Sequence, residues 1–199
     1  MRILSVTLLS VLVTGLSGCS DSEESSSVYG TLTLANSQSS DNLSSLELNK
    51  KVSCKRDANF GYVALDLRNS TGNAQLVVQI KGFESTAREY TCRQAEDNKT
   101  EGSVGGKFDA CSVYAEVPNA DASTVSNGYS MFRDEAIKSL EVFSYEGDCK
   151  VSFVQVSPTA KGSVSCTKMV QTKYRGATKN PIRANETANV TASFDCALE

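Results

Sequence analysis

The chain has 199 residues, with 20 Lys and Arg against 23 Asp and Glu, a net charge of −3, and no histidine. Mild acidity argues against a role on nucleic acid or as a polybasic membrane-surface protein. The lack of histidine excludes Ser-His-Asp triads, Cys-His dyads and every histidine-ligated zinc or iron site.

The first nineteen residues have the pattern of an export signal. Met1-Arg2 is basic, and the apolar run from Ile3 to Leu16 is, at roughly 14 residues, shorter than the ~20 of a membrane-spanning helix. The run ends in Leu16-Ser17-Gly18-Cys19, which resembles the lipobox of bacterial lipoproteins. The resemblance implies cleavage before Cys19, a lipid on its thiol and acylation of the new amino terminus. The alternatives for these nineteen residues are an ordinary cleaved signal peptide and an uncleaved signal-anchor.

The resemblance also indicates a location. Ser20 stands where the inner-membrane retention signal of enteric bacteria has aspartate, which favours the outer membrane, although Asp21 follows. The polar segment from Ser20 to Ser27 contains no apolar residue, so it predicts a flexible tether. The expected organisation is a signal peptide over 1–18, a tether over 19–27 and one domain over 28–199.

The domain alternates mostly like β-strands. Strands are predicted at 28–35, 46–54, 61–68, 74–81, 88–94, 107–117, 150–156, 162–174 and 187–198, with a further short strand at 141–145. Hairpins are expected across Asn69–Asn73, across Glu146–Asp148 and around Pro181. Pro118–Gly128 reads as a loop, and Ser130–Leu140 as a short helix with Phe132, Ala136, Ile137 and Leu140 on one face. Eight to ten short strands predict an all-β fold, an antiparallel sandwich or barrel.

Seven cysteines leave an even number once Cys19 is set aside: Cys54, Cys92, Cys111, Cys149, Cys166 and Cys196. In an exported chain this predicts three structural disulfides. A hairpin centred on Pro181 would place Cys166 opposite Cys196. Cys92 and Cys111 lie symmetrically about Glu101-Gly102, which leaves Cys54 to pair with Cys149.

No motif indicates an enzyme, a cofactor or a metal site. Ser165-Cys166-Thr167-Lys168 matches the Ser-x-x-Lys pattern, but it lies in a strand and lacks the companion motifs. The carboxylates Asp109, Glu116 and Glu135 could in principle hydrolyse glycosides, although no motif joins them. Segments 96–101 and 121–127 contain hard oxygen ligands without the spacing of a calcium loop. Tyrosines near Pro118–Phe132 could form an exposed binding patch, but core packing is favoured for most of the aromatic residues Tyr114, Tyr129, Phe132, Phe143, Tyr145 and Phe153.

The sequence therefore predicts a lipid-anchored envelope protein with a non-enzymatic binding or structural role. Its partners would be the membrane, through the lipid on Cys19, and an envelope or extracellular protein or a cell-wall polymer. One alternative is an inhibitor of a cell-wall-degrading enzyme. The chain is similar to small lysozyme-inhibitor lipoproteins in its lipobox and its β-rich build, and their aromatic-x-Cys strands resemble Glu89-Tyr90-Thr91-Cys92. The other is a carboxylate-based hydrolase.

Overall fold

The fold is known from a computed structural model, which describes residues 27–36, 42–94, 108–119, 122–130, 148–175 and 187–199. Within these ranges the chain forms twelve β-strands and no helix, so the all-β prediction is confirmed. The predicted helix at Ser130–Leu140 lies, apart from Ser130 at the end of a strand, outside the described residues. The strands are β1 (Gly30–Asn36), β2 (Leu43–Leu48), β3 (Lys50–Asp57), β4 (Tyr62–Arg68), β5 (Gln75–Ile80), β6 (Arg88–Gln94), β7 (Phe108–Asp109), β8 (Cys111–Asn119), β9 (Ala122–Ser130), β10 (Asp148–Gln155), β11 (Ala160–Arg175) and β12 (Thr187–Cys196).

Two antiparallel sheets pack face to face as an open sandwich rather than a closed barrel. The first sheet has the order β2-β1-β12-β11-β10-β6-β7, and the second has the order β3-β4-β5-β8-β9. The sixteen-residue β11 belongs to both, because it pairs with β10 as far as Thr167 and with β12 as far as Val170, and with β9 from Val170 onward. A register shift between Cys166 and Met169, with Lys168 at a φ of 52°, marks the transition. Such bulges bend a strand and let it pass from one sheet to another.

The core lies between the inner faces of the two sheets. On β12 every second residue from Ala188 to Cys196 is buried, which is the strict alternation that the sequence predicts. At one end of the sandwich the rings of Phe153 and Phe194 meet with centroids 5.0 Å apart. Gly162 lies between them in the register, and a Cβ there would stand 2.4 Å from the Phe194 ring. The glycine therefore allows the two rings to touch across the intervening strand.

The disulfides differ in part from the predicted pairing. Cys92–Cys111 forms and joins the two sheets, as predicted. The pairs Cys166–Cys196 and Cys54–Cys149 are wrong, because Cys54 bonds Cys196 and Cys149 bonds Cys166. Cys149 and Cys166 are direct partners on neighbouring strands, with Cα atoms 4.0 Å apart.

The error is one of register. The final hairpin exists, but Cys166 lies opposite Val190, and Cys196 lies opposite Ala160. The pairing is displaced by six residues from the one expected around Pro181. Because side chains alternate with a period of two, an even displacement keeps each residue on the same face, and the alternation pattern cannot detect it.

Two further predictions concern connections. The hairpin of β4 and β5 across Asn69–Asn73 is confirmed. The predicted loop at Pro118–Gly128 is wrong, since β8 continues to Asn119 and β9 begins at Ala122 and pairs with it. The predicted strand at Glu141–Tyr145 lies outside the described residues, but its predicted hairpin with β10 across Glu146–Asp148 is wrong, because β10 pairs with β11 on one side and with β6 on the other. Among those that are described, no helix is long and apolar enough to cross a bilayer.

Candidate functional site

The outer face of the first sheet carries a broad array of hydroxyl groups. We call this array the hydroxyl face. One row across four strands consists of Thr31, Ser193, Ser163 and Ser152, each the register partner of the next. A neighbouring row carries further members, and the face comprises Thr31, Thr33, Thr91, Ser152, Ser163, Ser165, Thr191 and Ser193. Because alternate residues of a strand share a face and neighbouring strands lie about 4.8 Å apart, these hydroxyls form a regular two-dimensional array.

Some of these hydroxyls are oriented by neighbours. The Thr31 and Ser193 hydroxyls are 2.8 Å apart, and the Thr31 amide donates to Ser193 Oγ at 3.1 Å. Ser152 Oγ donates to Glu89 Oε2 at 3.1 Å. Ser163 and Ser165, at the centre of the array, have exposed side chains. The centre of the face thus presents short hydroxyl side chains to solvent.

One ion pair interrupts the array, since Lys150 is the register partner of both Ser165 and Thr91, and a second pair lies beside it. Lys150 Nζ lies 3.1 Å from Glu89 Oε1, and Lys161 Nζ lies 2.8 Å from Asp195 Oδ2. The hydrogen bond from Lys161 lowers the pKa of the Asp195 carboxyl, and the bonds from Lys150 and Ser152 lower that of Glu89. The two pairs carry equal numbers of positive and negative charges, so they give this part of the face no net charge.

A shallow groove of about 390 Å³ runs along one side of the face. Its lining includes Thr31, Ser163 and Ser193 together with the apolar Val28 and Val154. Polar groups of both sorts, donor and acceptor, therefore meet two apolar side chains there. The groove is also lined by the ion-paired Lys161 and Asp195, so hydroxyl, charged and apolar groups are all present in it.

A second exposed feature is the turn between β3 and β4. Phe60 lies at its tip with 81 % of its surface exposed. The carboxylate of Asp57 accepts hydrogen bonds from the amides of Asn59 at 3.0 Å and Phe60 at 3.3 Å. Gly61, at a φ of 58°, takes the left-handed conformation, and its carbonyl accepts from the Phe83 amide at 2.7 Å. The turn is thus fixed at both sides while its aromatic ring faces solvent.

The sequence analysis did not single out this turn. The signal that could have found it is the run Asp57-Ala58-Asn59-Phe60-Gly61, in which turn-forming residues surround one large apolar side chain. A phenylalanine inside such a run has no strand partner and no inward face. It is therefore expected on the surface.

The candidate carboxylates are not brought together in the described part of the chain. Glu116 is 1 % exposed and accepts hydrogen bonds from the hydroxyls of Tyr114 at 2.6 Å and Ser126 at 3.2 Å. Asp109 lies on β7, but its side chain, like all of Glu135, lies outside the described residues. Buried polar groups with hydrogen-bond partners are the usual structural arrangement.

A different carboxylate shares that face of the second sheet. The carboxylate of Asp66 accepts hydrogen bonds from Nε and Nη2 of Arg68, at 3.1 and 3.0 Å. It also accepts one from Nε2 of Gln75 at 2.8 Å. The hydrogen bond to Asp66 raises the pKa of the Arg68 guanidinium. Asp66 and Glu116 are on strands separated by β5, so roughly 10 Å of sheet lies between their strands. Each carboxylate has its own donors, which indicates a structural network.

Other sequence candidates are placed as follows. Tyr129 is fully buried and belongs to the core between the sheets, which agrees with core packing and leaves this residue out of an exposed tyrosine patch. Ser165 and Lys168 are both exposed but separated by the β11 register shift. No cluster of three or more possible metal ligands occurs among the described side chains. Cys19 lies outside the described residues.

Comparison of the chain with known protein families, with curated proteins and with solved structures finds no match.

Proposed function

We propose that this chain is a lipid-anchored protein of the bacterial envelope with a non-enzymatic binding role, and that the hydroxyl face is its contact surface. The observation that carries the proposal is the regular array of Thr and Ser side chains with a groove beside it. Short hydroxyl side chains have little conformational entropy to lose on binding, and they both donate and accept hydrogen bonds. A neutral, hydroxyl-bearing partner such as a cell-wall polymer fits this chemistry.

The anchor and the disulfides support the location. The lipobox-like Leu16-Ser17-Gly18-Cys19 would give the mature protein a lipid at Cys19, with the outer membrane as its site. Three buried disulfides are typical of oxidising compartments such as the periplasm. Two or more acyl chains hold a protein on a membrane stably, whereas one holds it marginally.

The anchor is tested by Cys19→Ala. We expect the variant to keep its leader, to lack the lipid in intact-mass spectrometry and to leave the outer-membrane fraction. A variant that is still cleaved before residue 19 and still fractionates with the outer membrane would refute the lipoprotein proposal. Ser27→Ala is the matched control, because it changes a small exposed residue outside the Leu16–Cys19 motif and should leave both the lipid and the disulfides in place.

The binding role is tested by photo-crosslinking in cells. A photoreactive amino acid replaces Ser163, which is exposed at the centre of the hydroxyl face, and a control carries it at Ser70, which is exposed on the β4–β5 turn. We expect a reproducible crosslink to a cell-wall polymer or an envelope protein from the first position and not from the second. The proposal would be refuted if both positions crosslinked to the same molecules in proportion to their abundance in the envelope. A crosslinked cell-wall hydrolase would favour the inhibitor alternative, which predicts stoichiometric loss of that hydrolase's activity on titration.

A further inference from the structure

Three of the described cysteines lie side by side in the first sheet. Cys149 on β10 is the register partner of Cys92 on β6 and also of Cys166 on β11. All three side chains are buried and belong to the core between the sheets. We call Cys92, Cys149 and Cys166 the cysteine row. Its middle member, Cys149, therefore has a sulfur neighbour on each side.

Either neighbour lies close enough to bond Cys149. The Cα atoms of register partners in antiparallel strands are about 4.5–5.5 Å apart, and those of a disulfide are usually about 4.4–6.8 Å apart. In the structure Cys149 bonds Cys166, and Cys92 bonds Cys111, which lies on β8 in the second sheet. The strand pairing also accommodates a bond between Cys92 and Cys149. A disulfide can thus move along the row without any change of register.

The third disulfide has no such neighbour. Cys54 and Cys196 bond each other. Cys54 lies opposite Leu65, and Cys196 lies opposite Ala160, six residues before Cys166 on β11. Six residues of strand span about 20 Å, which is far beyond the reach of a disulfide. Exchange between neighbouring strands is therefore confined to the cysteine row and its partner Cys111.

The cysteine row lies near strand ends. Cys149 is the second residue of β10, and Cys111 is the first residue of β8. The pairing of β11 with β12 shifts directly after Cys166. Local opening costs least free energy at such ends, because few hydrogen bonds hold them closed. An external thiol can therefore reach the row through a local opening, although each sulfur is buried in the closed fold.

We propose that the cysteine row and Cys111 form a site of thiol–disulfide exchange with an external thiol. The external thiolate attacks Cys166 Sγ, forms a mixed disulfide with it and releases Cys149 as a thiolate. Cys149 then attacks Cys92 Sγ, so the Cys92–Cys149 bond forms, the Cys92–Cys111 bond breaks and Cys111 leaves as a thiolate. Two disulfides exist before and after, and the thiolate has passed from the external molecule to Cys111. This inference does not depend on the proposed binding role.

The exchange changes how the two sheets are joined. Cys92–Cys111 links β6 of the first sheet to β8 of the second, whereas Cys92–Cys149 lies within the first sheet. After the exchange, Cys54–Cys196 is the one disulfide among the described cysteines that still links the sheets. The site thus switches the sandwich between a doubly and a singly cross-linked form. Attack in the reverse order restores the first form and releases the external thiol.

The variant Cys111→Ser/Cys166→Ser tests whether the row can form its second bond. It leaves Cys92 and Cys149, register partners that do not bond each other in the structure. The full-length, exported protein is alkylated, digested with trypsin without reduction and mapped by mass spectrometry, and circular dichroism verifies its fold. We expect a Cys92–Cys149 disulfide in nearly all molecules. A folded variant in which both cysteines are alkylated would overturn the proposal.

The matched control is Cys54→Ser/Cys149→Ser, treated in the same way. It leaves Cys166 and Cys196, which also lie on neighbouring strands but six positions out of register. We expect both to be recovered as alkylated thiols. A Cys166–Cys196 disulfide in the folded control would also overturn the proposal, because bonding would then not depend on the register that defines the row.

Exchange is tested in the wild type without any substitution. The folded protein is incubated with reduced glutathione, quenched with acid, alkylated and mapped. We expect glutathione on Cys166, a Cys92–Cys149 linkage and an alkylated Cys111, with Cys54–Cys196 unchanged. Alkylation confined to Cys149 at all times of incubation would show that the thiolate stops there, and it would overturn the proposed exchange. A protein in which no sulfur reacts would overturn it as well.

Discussion

The disulfide between Cys54 and Cys196 should contribute more to stability than the one between Cys149 and Cys166. The two bonds span 142 and 17 residues of sequence, and all four cysteines are buried. In the chain-entropy model, removing them costs about 5 and about 3 kcal/mol, since the loss grows with the logarithm of loop length. Replacement of each pair by alanine removes similar buried volume, so the difference of about 2 kcal/mol isolates the loop term.

The assay compares the double variants Cys54→Ala/Cys196→Ala and Cys149→Ala/Cys166→Ala by urea unfolding under oxidising conditions. For a domain of this size a difference of about 2 kcal/mol corresponds to roughly 4–8 °C in Tm. We expect the first variant to be the less stable one. Equal losses, or a greater loss for the second variant, would refute the loop-length reasoning.

The connectivity itself is checked by digestion without reduction. Lysine or arginine residues lie between every two neighbouring cysteines of the domain, so trypsin releases each cysteine in a separate peptide. We expect mass spectrometry to find the peptide of Cys54 joined to that of Cys196 and the peptide of Cys149 joined to that of Cys166. Linked peptides of Cys54 with Cys149, or of Cys166 with Cys196, would contradict the strand register of β11 and β12.

Three further predictions concern single positions. Gly162→Ala should destabilise the fold by about 3 kcal/mol, because its Cβ would lie 2.1 Å from a backbone oxygen of β10. Gly72→Ala, in open space but with a φ of 72°, should cost only about 1 kcal/mol. Thermal unfolding of the two variants measures the difference. Glu116→Leu should cost about 1–3 kcal/mol in urea unfolding because it leaves buried hydroxyl donors without their acceptor, and a smaller loss is expected for Glu116→Gln. Lys161→Met should lower stability near pH 7 by roughly 0.5 kcal/mol, since it breaks a partly exposed ion pair with Asp195. Because the folded pKa of Asp195 is lowered, that contribution is present above its ordinary value of 3.8 and disappears as the pH falls through the folded pKa, so the stability curves of wild type and variant should converge in acid.

The strands that the sequence predicts well are those with strong alternation. The limits of β6 match the prediction, and β4, β5 and β12 differ from it by one or two residues. Their buried faces carry apolar side chains at every second position, Leu, Val or Ile on β4 and β5 and also Ala, Cys, Tyr or Phe on β6 and β12, a period that local sequence displays. β9 was missed because its sequence, Ala-Ser-Thr-Val-Ser-Asn-Gly-Tyr-Ser, lacks that contrast. Its place in the sheet comes from pairing with β8 and β11, which local pattern does not reveal.

The candidate surface was harder to predict than the fold. The members of the hydroxyl face come from five strands, and they become neighbours only through the successive pairing of β1 with β12, β12 with β11, β11 with β10 and β10 with β6. A Thr or Ser at an outward strand position is ordinary in isolation, since such residues commonly occupy the solvated face of an antiparallel sheet. The lipobox-like motif, by contrast, is contiguous, and it can be read without any knowledge of the fold.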